Sequence, residues 1–171
     1  MQSASEPPVL LRFGRRPGAV SWQSIGDSVM GGCSSGRLEA IDVSTSVFRG
    51  EVSLANGGGF ASVKADITPR DLSRCRGLRL RVRGDGKSYK LGLRMTQDRN
   101  APVYQHTFHT ETAQWRTLNL AFADFVPRWR GRTLTDAPPL DRSAIASVSL
   151  FIAGSQAGPF AVLLEGEITG V

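Results

Sequence analysis

Histidine and cysteine are both scarce, with two of each in 171 residues. Cys33 and Cys75 stand far apart with no C-x-x-C spacing, which excludes a cysteine-built metal cluster or dithiol redox motif. Two thiols permit one disulfide, and nothing in their spacing demands it. Long apolar runs are absent as well: no stretch approaches the roughly 18 apolar residues of a membrane-spanning helix. The N-terminus, MQSASEPPVLLRF, lacks the basic segment and apolar run of a secretory signal. These absences predict a reduced, cytoplasmic setting. Helix-favouring runs are few, whereas 19 Gly and 9 Pro favour strands and turns.

What is present is short period-two alternation, repeated about every ten residues and separated by turn chemistry. The pattern predicts strands at 9–13, 37–43, 46–55, 59–66, 76–83, 88–96, 103–110, 115–120, 145–153 and 159–168. Such spacing points to an antiparallel sandwich. One domain suits this length. Residues 1–19 read as a partly disordered arm holding a first strand, and 20–171 as a single sandwich. Thr68-Pro69 is a cap and first-turn pair, predicting a short helix over 69–75. Residues 121–142 are irregular and Pro-rich, and predict a long surface loop. Gly57-Gly58-Gly59 predict a turn that lets Phe60 enter the core, and Trp22 and Trp115 are expected in the core.

In LRLRVRGDGKSYKLGLRM, Asp85-Gly86 is a favoured two-residue hairpin loop. That loop pairs Val82 with Tyr89, Leu80 with Leu91 and Leu78 with Leu93 on one face. The other face then carries Arg79, Arg81, Arg83, Lys90 and Arg94, with Arg81 directly across from Lys90. Like charges so placed destabilise a sheet, so the face is either fully solvated or shaped for an anion. The net charge of +6 is spread along the chain and fits either a solvated basic surface or an acidic partner.

Catalytic signatures do not survive their context. GDSVMGGCSSG, residues 26–36, contains an esterase-like Gly-Asp-Ser and a G-x-S-x-G string. The elbow needs a buried strand before the serine and a helix after it, and WQSIGDSVM and RLEAIDVST supply neither. His106 and His109 stand three apart on a strand and point to opposite faces, so they cannot act jointly on a metal or a proton. His106 shares its face with Tyr104 and Phe108. Gly57-Gly58-Gly59 has no following Lys-Ser/Thr and so is no phosphate loop. The reading is a protein that is not an enzyme, with no catalytic residue, metal or cofactor.

Asp27-Ser28-Val29-Met30-Gly31-Gly32-Cys33-Ser34, then Phe48-Arg49-Gly50-Glu51-Val52 and Asn56-Gly57-Gly58-Gly59-Phe60-Ala61-Ser62, form an ordered series. It continues through GLRLRVRGDGKSY, Trp115, AFADFVPRWRGR and SVSLFIAGSQAGPFAVLLEGEI. Over roughly residues 20–168 this series resembles the complex I intermediate-associated protein 30 family. The resemblance implies an all-β, galactose-binding-domain-like jelly-roll sandwich, to which the residues themselves add the one short helix and the long irregular loop. It also implies a chaperone-like assembly factor that binds a protein partner, such as a subunit of a respiratory or photosynthetic complex, at the periphery of a membrane complex. No transit-like N-terminus is seen, which favours a stand-alone bacterial domain.

Two other functions are open. Sandwiches of this type bind carbohydrate, and the basic residues could meet nucleic acid or another polyanion. Aromatics are not interleaved with the cations as a base-stacking platform requires, so nucleic acid is the weakest of the three. The candidate partner- or ligand-binding residues are Asp27, Met30 and Ser34 in the glycine-rich loop, Arg81, Lys90 and Arg94 on the basic face, and Arg128, Trp129 and Arg130. Trp129 between two arginines has the composition of an interface hot spot, or else folds back as a lid. Gly31-Gly32 supply a tight reversal, Asp27 and Ser34 can bond loop backbone, and Met30 either plugs the sandwich or meets a partner.

Overall fold

In β6 (Gly77–Arg83), Leu78, Leu80 and Val82 are buried while Arg79 and Arg81 are exposed, the signature of a strand with one face on the core and one in water. The same alternation recurs through the computed structural model, which describes residues 6–26, 34–55 and 59–171. Two antiparallel sheets result, stacked as a jelly-roll sandwich.

The six-stranded sheet contains β1 (Val9–Arg12), β3 (Ser35–Ala40), β4 (Thr45–Val52), β6, β9 (Trp115–Ala121) and β13 (Gly158–Gly170). Its order is β3-β4-β13-β6-β9, with β1 also on β13. The long β13 pairs β4 through residue 165 and β1 from residue 167. Gly166, at φ 77°, makes the step between them, a backbone state that favours glycine. The seven-stranded sheet runs β11 (Arg132–Thr133), β10 (Val126–Trp129), β8 (Val103–His109), β7 (Ser88–Arg94), β12 (Ser147–Ile152), β5 (Ala61–Asp66) and β2 (Trp22–Gly26).

The core lies between the sheets. Phe48, Phe160, Val162 and Leu164 from one meet Tyr89, Leu91, Leu93, Leu150 and Ile152 from the other. Phe48 packs edge-on against Phe160, with centroids 5.0 Å apart, and Tyr89 stacks on Phe108 at 5.9 Å. Each fully buried Leu or Phe contributes roughly 1.5–3 kcal/mol. Trp22 is half-buried and stacks on Phe13 at 6.1 Å. Trp115 lies on the outer face instead, with the Arg81 guanidinium 5.2 Å above it, because its strand turns Leu118 and Leu120 inward.

The 76–96 hairpin does not form. β6 pairs β13 and β9, and β7 pairs β8 and β12, so the predicted partners face one another across the core. Only Gly86 has positive φ, whereas the predicted turn needs it at both central residues. Asp85 instead knots the crossover, accepting from Lys87 N–H at 3.1 Å, Tyr89 O–H at 3.0 Å and Ala161 N–H at 2.9 Å. The two-residue turn with both φ positive occurs elsewhere, at Arg130 (49°) and Gly131 (78°) between β10 and β11.

Two further expectations change. Segment 69–75 is a turn, because Leu72 N–H donates to Arg142 O at 3.1 Å and so is drawn into tertiary structure. The short helix is a 3₁₀ turn at Phe122–Asp124. Within the expected long loop lie β10 and β11. Pro127 is tolerated there because its carbonyl accepts from Leu134 N–H at 2.9 Å, which turns its nitrogen to the same side, away from the β8 ladder. Cys75 is buried and free, whereas Cys33 lies outside the described residues. No helix among the described residues is long and apolar enough to cross a membrane.

Candidate functional site: a basic groove on the seven-stranded sheet

Alternation places Lys90, Gly92 and Arg94 of β7 on the outer face of their sheet, beside Val103 and Gln105 of β8 and Ser149 and Phe151 of β12. These residues floor a groove of about 690 Å³. One wall is the Arg99-Asn100-Ala101 loop with the tip of the β10–β11 hairpin, and Ile25 and Phe60 close the other side. Gly92 gives the floor its depth. A Cβ there would lie 2.7 Å from both Phe151 and Val103 side chains, so any larger residue would push them up into the groove.

The hairpin wall is fastened by Trp129, whose Nε1–H donates to Asn100 O at 3.0 Å. The indole is still 41% exposed and is covered in part by the Arg130 guanidinium at 4.7 Å. Trp129 is thus tied down at its nitrogen while part of its ring face stays open.

Arg94 is the most confined of the cations that line the groove, at 8% exposure. Its Nε donates to Ala101 O at 3.2 Å and its Nη1 to Ser149 Oγ at 3.0 Å. Burial lowers its pKa, and Asp98 opposes that shift from a distance. The Lys90 ammonium is also pulled below its ordinary value, first by burial and then by the like charge of Arg128. Lys64, on the same face, is instead committed to Asp66 and to Gln97 O.

Five of the residues expected at a site come together here: Lys90, Arg94, Arg128, Trp129 and Arg130. Arg81 does not join them. It lies on the opposite sheet, ion-paired to Glu165 at 3.3 Å, because β6 and β7 separate. Ser34 is a fold clip, donating to Ser53 O at 3.1 Å and accepting from Ser53 N–H at 2.9 Å. Asp27 and Met30 lie outside the described residues. Phe60 lines the groove and is not part of the core cluster.

Sequence reasoning missed Arg99, Asn100 and Phe151. The signal for Phe151 was present: in SVSLFI it takes the polar face with Ser147 and Ser149. It also missed Ser88 Oγ, 2.5 Å from His109 Nδ1, a pair made by cross-strand register. That pair is exposed, and among the described residues no carboxylate orients the imidazole, so it lacks the third member of a nucleophile relay. His106 shares its face with Tyr104 and Phe108 as expected, and lies edge-on to Phe125 at 5.2 Å. Among the described residues no group of three or more His, Cys, Asp or Glu could hold a metal.

The sequence profile of the complex I intermediate-associated protein 30 family matches residues 11–164. The chain belongs to that family. A comparison with curated protein sequences found no match. Among solved structures, it is similar to the family 11 carbohydrate-binding module of a cellulosomal cellulase of Clostridium thermocellum, at 16% identity and TM-score 0.69, over 99% of this chain and 97% of that one. The Clostridium thermocellum family 11 module in complex with a β-1,3-1,4-mixed-linked tetrasaccharide aligns at 14% identity and TM-score 0.67, over 96% of this chain and 97% of the other. An agarase aligns at 12% identity and TM-score 0.60, over 96% of this chain and 26% of the enzyme. Identities this low establish the shared fold, a galactose-binding-like jelly roll, and nothing more.

Proposed function

We propose that this chain is a non-enzymatic binding domain with an assembly-factor role, which holds a protein partner in the groove of the seven-stranded sheet. The partner is a component of a membrane-associated respiratory or photosynthetic complex under assembly. Membership of the complex I intermediate-associated protein 30 family supports the assembly role. The observation that carries the site is the groove itself, an aromatic-walled cleft whose cations have no carboxylate partner among the described residues. A half-exposed tryptophan on a fastened hairpin is the residue type that dominates interface energetics.

The test is capture of partners from a native-source lysate by the tagged full chain and by Trp129→Ala. Loss of a hot-spot anchor costs about 2 kcal/mol or more, roughly thirtyfold in affinity. Equal recovery by a folded variant would remove the groove from the partner site.

Carbohydrate binding is the second reading. It is favoured by the likeness to a module solved with a mixed-linked tetrasaccharide and by Phe151, Phe60 and Trp129 around the groove. Calorimetry with a neutral mixed-linked glucan oligosaccharide separates the two: heat that disappears in Trp129→Ala would favour the sugar.

A further inference from the structure

The groove is rich in hydrogen-bond donors and poor in acceptors. Lys90, Arg94, Arg99, Arg128 and Arg130 line it, and no Asp or Glu does so among the described residues. All five charged groups of the lining are donors, and its side-chain acceptors are neutral: the Gln105 and Asn100 amides, Ser149 Oγ, which accepts from Arg94, and Ser62 Oγ, which donates to Ile25 O at 2.7 Å. Sugar hydroxyls donate as well as accept and leave this excess of charged donors unmatched, whereas carboxylates only accept and suit it.

Arg94 sharpens the point. Its guanidinium has five N–H donors, yet within the described residues it makes only the two bonds given above. No buried side-chain nitrogen in the described structure lacks a partner, so its unbonded Nη2 is not sealed in the core and opens on the groove that Arg94 lines. Asp98, the carboxylate that acts on it, forms no ion pair with it and instead accepts from Asn100 N–H at 2.9 Å. A buried charge without a counter-charge is costly, and this one is built into the floor of a cleft.

Lys90 and Arg94 are four residues apart on one straight strand, hence about 13 Å apart at roughly 3.3 Å per residue. Apolar Phe151 and Val103 lie on the same floor. We propose that the occupant of this groove is an acidic, extended segment of the partner protein, with carboxylates seated on Arg94 and on the Lys90–Arg128 pair and an apolar side chain between them on Phe151. This rests on the groove being the partner site.

The probe is a labelled, N-acetylated eight-residue Glu/Val peptide of two Glu-Ser-Val-Ser repeats, which sets Glu and Val in turn on one face of an extended chain, titrated by anisotropy against the full chain, with a Gln/Val peptide of the same length, Gln replacing each Glu, as control. The Glu/Val peptide should bind at least tenfold more tightly than the Gln/Val peptide. That preference should shrink severalfold in 0.5 M salt, and should be lost in Lys90→Gln and in Arg94→Gln. Lys90 is half-buried on the outer face, so its variant keeps the test decisive if Arg94→Gln melts early. Equal binding of the two peptides, or no binding of either, overturns the acidic segment. So does tighter binding of a galacturonate oligomer, which would assign the site to acidic polysaccharide, or of oligothymidylate, which would assign it to nucleic acid. Partner capture separates this proposal from the broader one. Capture lost in Trp129→Ala but kept in Lys90→Gln leaves the groove as partner site with a non-acidic occupant, and capture kept in both removes the groove itself.

Discussion

The outer faces of the two sheets are both arginine-rich and behave in opposite ways. On the six-stranded sheet most of the cations find partners within the chain. Arg81 pairs with Glu165 at 3.3 Å, Arg37 and Arg49 share Glu39 at 2.7 Å each, Arg12 meets Glu167 at 3.2 Å, and Arg79 donates to Asn119 at 3.0 Å. On the seven-stranded sheet Lys90, Arg94, Arg99, Arg128 and Arg130 converge with no ion pair among the described residues. Composition alone treats these arginines as equivalent. Whether a cation is answered by its neighbours is what distinguishes the two faces.

The shared core sets the scale for breaking this contrast. Leu150 is fully buried between the sheets, and Leu150→Ala should cost about 2–5 kcal/mol in urea unfolding, undermining both faces alike. Next comes Arg94→Met. Removing an unanswered buried charge while keeping the side-chain bulk should raise stability by about 1 kcal/mol even as it weakens peptide binding. A loss of stability would instead mean that the bonds to Ala101 and Ser149 outweigh the charge.

The third effect appears as a slope with pH. The folded pKa of Lys90 lies below its ordinary 10.5, so charging it disfavours the folded state at neutral pH. That penalty disappears as pH rises through the folded value towards 10.5. The stability of the parent relative to Lys90→Gln should therefore improve over the alkaline range and level off above 10.5, as read by denaturant unfolding at a series of pH values. A flat difference would mean that Lys90 is as well solvated as a surface lysine. The smallest effect is expected on the matched face. Glu165→Gln removes an exposed pair worth about 0–1 kcal/mol, and its thermal unfolding should be nearly that of the parent and insensitive to salt. A larger loss would show that the matching there is structural.

The strands of the sandwich were legible because alternation is a local property: Leu78, Leu80 and Val82 mark an inward face whichever strand lies beside them. Pairing was not. Asp85-Gly86 has the composition of a hairpin turn, but Asp85 makes more hydrogen bonds by joining Tyr89 and Ala161 across the sheets, and the chain crosses over. Trp115 read as core because it opens an apolar-looking run, yet register turns it outward against Arg81. The site was legible as residue types. Lys90, Arg94, Arg128, Trp129 and Arg130 were all marked, although Arg81 was grouped with them through the mistaken hairpin. Arg99 and Phe151 reach the groove through a loop and through strand order, which no single stretch of sequence encodes.

The Arg130–Gly131 turn makes the groove wall a detachable module. β11 pairs only with β10, and β10 joins the remaining sheet through three residues of β8, while the core beneath belongs to other strands. Lengthening or exchanging that hairpin would reshape what the cleft admits without disturbing the sandwich. Related chains could therefore diversify their partners by rewriting residues 126–133 while the floor at Gly92 and Arg94 stays the same.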